Sequence, residues 1–180
     1  KPAQIEILLA GDDIGPDFTL LQQSIINKID EFNRFTKSAV TYKFNDPNSI
    51  ENDTIKNQFV RDLFPFGIKP KLLVNVENGT LSQKHIIFPG LLMKYDNKVD
   101  GVNFFKFAEI PRNKRQRKEL VNRSIENIEY ELAFLIKKLS KKEFKTVSFL
   151  SGHGELSAEQ THTIRNQLRE LYQLRDIKLH

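Results

Sequence analysis

The sequence predicts an α/β fold in two parts, and three observations carry that expectation. Short apolar runs of strand length alternate with longer segments whose apolar residues recur at three- and four-residue spacing. Turns rich in Gly, Pro, Asn and Asp separate them. A mostly polar, basic stretch over residues 140–145 divides the chain. The expected organisation is a first α/β domain over 1–139, a linker over 140–145, and the start of a second α/β module over 146–180.

Residues 5–10 form an apolar run closing on Gly11-Asp12-Asp13-Ile14-Gly15-Pro16, a strand followed by a turn. Pro16 and Asp17 suit a helix start, because Pro pre-sets φ and Asp accepts from free N–H groups. Phe18, Leu21, Ile25, Ile29 and Phe32 then mark one buried face. Residues 40–44 alternate as a second strand. Asp46-Pro47-Asn48-Ser49 breaks it and offers a cap for a helix with Ile55, Phe59 and Leu63 inside, ending by 65–67.

Residues 72–76 read as a strand, and Glu77-Asn78-Gly79-Thr80 as a hairpin turn, since Asn-Gly readily takes φ > 0. The return strand covers about 84–95 and is interrupted at Pro89-Gly90, which predicts a bulge or an edge position. Asp96-Asn97-Lys98 is another turn and 102–107 a further short strand. The clearest helix spans 118–139, where Val121, Ile125, Ile128, Leu132, Leu135 and Leu139 keep a strict spacing. After the linker come a strand at 146–150, a Gly-rich turn at 151–155, a helix at 157–172 and a strand at 175–179. That is a parallel βαβ crossover in form. One such unit cannot bury both faces of its strands, so the second module is expected to continue in a longer protein.

Composition narrows the chemistry. The chain has no cysteine, which excludes a disulfide framework, a Cys-ligated metal and a Cys nucleophile. With 39% hydrophobic and 28% charged residues it is globular, and no run approaches the roughly 18 apolar residues of a membrane span. The net charge of +5 gathers in two clusters, at 112–118 and 137–145. Exposed aromatics interleaved with the cations would signal nucleic acid, but the phenylalanines fall at core periodicity, so no nucleic-acid partner is expected. A solvated loop with a basic helix end is the plain reading of the clusters. Acidic lipid headgroups or a partner protein are the others.

The order β-α-β-α-β-β-α, with a Gly-rich turn before the first helix, resembles the thioredoxin-like fold. Asp12-Asp13-Ile14-Gly15-Pro16-Asp17 stands at the corner where a thioredoxin carries Cys-Gly-Pro-Cys. Residues 66–79 are similar to that family's tyrosine-glycine-isoleucine stretch, cis-proline, strand and Asn-Gly hairpin. The resemblance makes Pro70 the candidate cis-proline. Thiol–disulfide exchange needs a thiolate, so what it implies here is a scaffold for protein contact.

Ser151-Gly152-His153-Gly154-Glu155 is the most distinctive short motif, at a strand's carboxyl end, where open α/β sheets bind ligands. Gly152, His153, Gly154 and Glu155 are candidates for ligand or partner contact; a structural turn is the plainer alternative. His153 as general base with Glu155 orienting it would make part of a hydrolase site, completed by sequence beyond His180. The His-x-Glu pair also resembles class I glutamine amidotransferases, whose Cys nucleophile this segment lacks. His153, Glu155 and His162 could ligate a metal, though not at the spacing of a zinc helix. Asp12 and Asp13 are the other candidates for contact. Paired aspartates after a first strand hold Mg²⁺ in receiver domains, but those want a third-strand Asp where this chain has Asn75 or Glu77. No metal or other cofactor is assigned.

Taken together, the residues resemble the GldG family, the auxiliary, substrate-binding-type component of an ABC transporter associated with gliding motility in Bacteroidetes. The similar stretches, in order, are Ile5-Glu6-Ile7-Leu8-Leu9-Ala10-Gly11-Asp12, Phe44-Asn45-Asp46-Pro47-Asn48 and Ile86-Ile87-Phe88-Pro89-Gly90. They continue with Ser124-Ile125-Glu126-Asn127-Ile128-Glu129-Tyr130-Glu131-Leu132 and with Phe149-Leu150-Ser151-Gly152-His153-Gly154-Glu155-Leu156. The resemblance implies a non-enzymatic domain at the periplasmic face of the inner membrane, with membrane spans outside this segment. It implies permease and ATPase subunits as partners, and protein–protein interaction as the mode of action. The second module would be flavodoxin/amidotransferase-like without catalysis.

Overall fold

Buried Ile5 and Ile7 alternate with half-buried Glu6 along the first strand, β1 (Ala3–Ile7), which therefore presents two covered faces and sits inside a sheet. The computed structural model describes residues 2–11, 13–35, 40–77, 80–141, 145–169 and 171–178. Asp12, the Asn78-Gly79 turn, Leu179 and His180 lie outside the described residues. The chain folds as two units, Lys1–Leu139 and Ser140–His180, both mixed α/β as the sequence predicts.

In the first unit, β1 pairs in parallel with β2 (Val40–Phe44), and α1 (Gly15–Phe35) makes the crossover that parallel neighbours require. On its other side β1 pairs antiparallel with β5 (Gly90–Tyr95), which pairs antiparallel with β6 (Lys98–Asn103). The sheet order is β2-β1-β5-β6. Phe18, Leu21, Ile25 and Ile29 of α1 join Ile5, Ile7, Leu91 and Met93 in the main core. Leu92 alternates with those two β5 residues and packs instead with Leu8, Leu63, Ile68 and Phe88. The smaller core, capped by Phe59 and Val60 of α2 (Asp53–Leu63), thus lies on the opposite face of the sheet.

Several expectations change. Residues 84–95 are two strands, not one: β4 (Thr80–Ile87) pairs with β3 (Lys71–Glu77) as a separate hairpin, and β5 starts after Pro89. Pro89 has no N–H for a ladder, while the Gly90 N–H turns back to the Phe88 carbonyl at 2.8 Å. A Cβ on Gly90 would stand 2.6 Å from the Val102 carbonyl oxygen, so only glycine lets β5 run this close to β6. The strand beside β1 on this side is therefore 90–95. Leu73 and Ile87 of the β3–β4 hairpin still enter the main core, whereas Leu72 and Ile86, partners in register, are about half exposed.

The strand expected at 102–107 ends at Asn103. Its Oδ1 accepts the Phe105 N–H at 3.0 Å, and the chain turns inward. Phe105 meets Phe18 edge-to-face at 5.4 Å and Phe107 at 5.1 Å. The helix expected over 118–139 is two, α3 (Lys114–Glu126) and α4 (Ile128–Ser140). At the junction the Asn127 side-chain amide donates to the Arg123 carbonyl at 2.8 Å, in competition with the backbone ladder. The apolar stripe crosses the break intact, with Val121, Ile128, Leu132, Leu135 and Leu139 buried. Asp46 caps only a short 3-10 turn at Pro47–Ser49, and Asn52 caps α2 by accepting the Ile55 N–H at 3.1 Å. Ile55, expected inside, is exposed. The described residues contain no cis peptide bond, so Pro70 is a trans proline, exposed ahead of β3.

In the second unit β7 (Thr146–Ser151) and β8 (Gln173–Lys178) pair in parallel, joined through α5 (His162–Arg169). The regular helix starts at His162, later than expected, and ahead of it Ser157 and Gln160 close a reciprocal cap. Ser157 N–H donates to Gln160 Oε1 at 2.9 Å, and Gln160 N–H to Ser157 Oγ at 3.2 Å. Arg165 fastens helix to sheet. Its Nε donates to Thr161 Oγ1, its Nη1 meets Asp176 at 2.8 Å, and its guanidinium covers the Phe149 ring at 3.8 Å.

Candidate functional site

Two strand-to-helix corners, one in each unit, hold the residues singled out from the sequence. In the first, Gly11 (φ 103°) and Gly15 (φ 73°) take left-handed conformations that bend the chain from the end of β1 into α1. A Cβ on Gly11 would lie 2.9 Å from Asp46 Oδ2. Asp13 is exposed on this turn, and Asp12 is outside the described residues. The carboxylate that the fold engages is Asp17, in the first turn of α1. Arg117 Nε lies 2.8 Å from Asp17 Oδ2, with the arginine side chain 5% and the aspartate 19% exposed.

This pair ties α1 to α3 across 100 residues of sequence. Ile14, Gly15, Pro16, Phe18 and Leu73 line a shallow depression beside it that has no room for even a water molecule. Among the described residues this depression offers no space for a ligand. The sequence reading missed the pair because Arg117 lies in a basic run taken as solvated. One signal was available: Arg117 stands four residues before Val121 and so falls on the buried stripe of α3.

In the second unit, Gly152 (φ 129°) and Gly154 (φ 90°) shape the loop after β7. Glu155 folds back over it, and its Oε2 accepts the backbone N–H of His153 at 2.7 Å. That N–H, then that of Glu155 itself and, more weakly, that of Gly152, hold the carboxyl below the ordinary glutamate value against the opposing effect of desolvation. The donor is the amide of His153, not its ring. A general-base pair needs the carboxylate on the imidazole N–H, and that bond is not made among the described residues.

The whole motif from Ser151 to Leu156 is exposed. His162 begins α5, where its Nδ1 stands 3.5 Å from the hydroxyl of neighbouring Thr163. Among the described residues no three His, Asp or Glu side chains are grouped to hold a metal ion. The loop can offer an exposed imidazole to a partner, on a backbone that its own glutamate closes.

No curated protein and no solved structure matches the chain. A family model does, over residues 1–94, which is the stretch from β1 through all but the last residue of β5. The chain belongs to the family described as Domain of unknown function (DUF7088).

Proposed function

We propose that this chain is a non-enzymatic extracytoplasmic domain of an ABC-transporter auxiliary component of the GldG type, associated with gliding motility and acting by protein–protein interaction. Its partners are the permease and ATPase subunits, and it stands at the periplasmic face of the inner membrane, anchored by spans outside this segment. The ordered sequence resemblance supports the assignment. The β2-β1-β5-β6 order, with one parallel and two antiparallel pairings, supports a thioredoxin-like reading of the first unit, with β3–β4 as an additional hairpin. The parallel β7/β8 pair supports a flavodoxin/amidotransferase-like reading of the second.

The observation that carries the non-catalytic part is that, among the described residues, one carboxylate at each corner is engaged by the protein itself. Asp17 is held by Arg117, and Glu155 by its own loop, so neither group is poised against a bound substrate. Contact with a partner needs only an exposed, shaped loop, and 151–156 is one. Co-purification of the full-length protein with its permease and ATPase tests the proposal. Stable association that weakens when His153 is changed to alanine is the expected result. Absence of any association would overturn the partner assignment.

A further inference from the structure

One short stretch of the chain carries an excess of positive charge as large as that of the whole chain. Of 28 Lys and Arg and 23 Asp and Glu, residues 106–118 hold six cations and a single carboxylate, Glu109, leaving 22 of each sign elsewhere. These thirteen residues, the loop after β6 and the first turns of α3, thus carry +5 by themselves, while the second basic cluster, at 137–145, is offset by acidic residues elsewhere in the chain.

The fold employs only two of those cations. Lys106 pairs with Glu131 at 2.6 Å, and Arg117 with Asp17. Arg112, Lys114, Arg115 and Lys118 are exposed and have no ion pair or side-chain hydrogen bond among the described residues. Three of the four stand in the first turns of α3, which contain no acidic residue until Glu119, and positive charge there opposes the helix dipole. Folding alone gives no reason for this placement. A further cation lies at the base of the segment: Lys71 Nζ donates to the carbonyls of Phe107 and Ala108, both at 2.8 Å. Burial and then the neighbouring charge of Lys69 hold it below the usual lysine value.

We propose that Arg112, Lys114, Arg115 and Lys118 form a docking surface for an anionic phospholipid bilayer. Charge complementarity fixes the sign of the occupant, and what the patch lacks fixes its kind. None of the large exposed apolar side chains falls in 104–118, so there is no anchor of the sort that dominates protein interfaces. Nor does that segment hold an exposed aromatic on which a base could stack. A bilayer rich in acidic headgroups presents a dense, flat field of charge that needs neither groove nor anchor, and each basic residue near it adds roughly fivefold to partitioning. The inference is independent of the proposed transporter role, because it concerns only this segment and can be read on the 180-residue chain.

The test is flotation of that chain with phosphatidylcholine vesicles, with and without phosphatidylglycerol, over a range of salt. Binding is expected only to the anionic vesicles and should fall as salt rises. Changing Arg112, Lys114, Arg115 and Lys118 to Gln should reduce partitioning by about several hundred-fold, taking the four effects as additive. Changing the exposed Arg34, Lys84, Lys94 and Lys178 to Gln removes the same charge elsewhere and should leave most of the binding. Melting curves of both variants identify any loss of folding, and neutralising the α3 cations is expected to leave the melting temperature unchanged or higher. Equal loss in the two variants, absence of binding to anionic vesicles, or tighter binding to a double-stranded oligonucleotide than to vesicles would each overturn the proposal.

Discussion

The two strand-to-helix corners solve one problem by opposite means. Each places a carboxylate near the start of a helical segment after a Gly-bent turn. In the first unit Asp17 is neutralised by a buried arginine 100 residues away, so the corner exists only when α1 and α3 are already packed together. In the second, Glu155 is satisfied by an amide two residues back, so the loop closes without help. One corner depends on the global fold and contributes to it. The other is local, and its integrity says little about the stability of its unit.

That contrast can be broken at either end. The largest effect is expected from Arg117→Met, which leaves Asp17 in a mostly buried position without its cation. Unfolding of the first unit in urea should lose about 3 kcal/mol, as for removal of one partner of a buried pair. A double variant that also carries Asp17→Leu should recover part of that loss; no recovery would mean that arginine packing, not the ion pair, matters. Arg165→Met is the matching change in the second unit. Its acid partner Asp176 is mostly exposed, so the expected loss is smaller, about 1–2 kcal/mol, read from the unfolding of that unit.

Gly154→Ala comes next. A Cβ there meets nothing within 4 Å, but φ of 90° disfavours a side chain, so a cost of about 1 kcal/mol arises from backbone strain alone. The smallest global effect belongs to Glu155→Gln. It should leave the unfolding transition in place while raising hydrogen exchange at the amides of Gly152 and His153. The pH dependence has a definite sign. The Glu155 carboxyl titrates below its unfolded value, so loop closure is complete above that value and is lost as pH falls through the lower, folded one. An NMR titration of the His153 amide should follow this acid limb, and a flat profile would contradict the bond.

What the sequence made legible follows the same division. Local periodicity located α1, the bounds of β2, and the buried stripe from Val121 to Leu139, because each depends on neighbours within a few residues, whereas β1 lies at 3–7 rather than 5–10. Pairing partners were not legible. The hairpins β3–β4 and β5–β6 have similar turn signals, and only tertiary burial distinguishes them: Leu91 and Met93 are covered on β1, whereas Leu72 faces out. Pro89-Gly90 was visible as a break, but a break in one strand and the boundary between two strands look alike in one dimension. The break at Asn127 was hidden because α3 and α4 continue the same stripe. At the candidate sites, the glycine spacing foretold the 151–155 turn. The two-residue separation of His153 and Glu155 allowed either the ring or the amide as donor, and the backbone conformation selected the amide.

The composition of the main core bears on how this family can be handled at the bench. The kinship shared through DUF7088 ends within β5, yet β6, α3 and α4 supply Val102, Val121, Ile128, Leu132, Leu135 and Leu139 to the same interior. A recombinant fragment cut at residue 94 would leave the inward side of α1 wet, along with Leu91 and Met93. It would behave as a sticky, partly ordered polypeptide rather than a miniature of the first unit. The stretch that evolution has made recognisable is shorter than the stretch that must be synthesised together, and a workable boundary lies near Leu139.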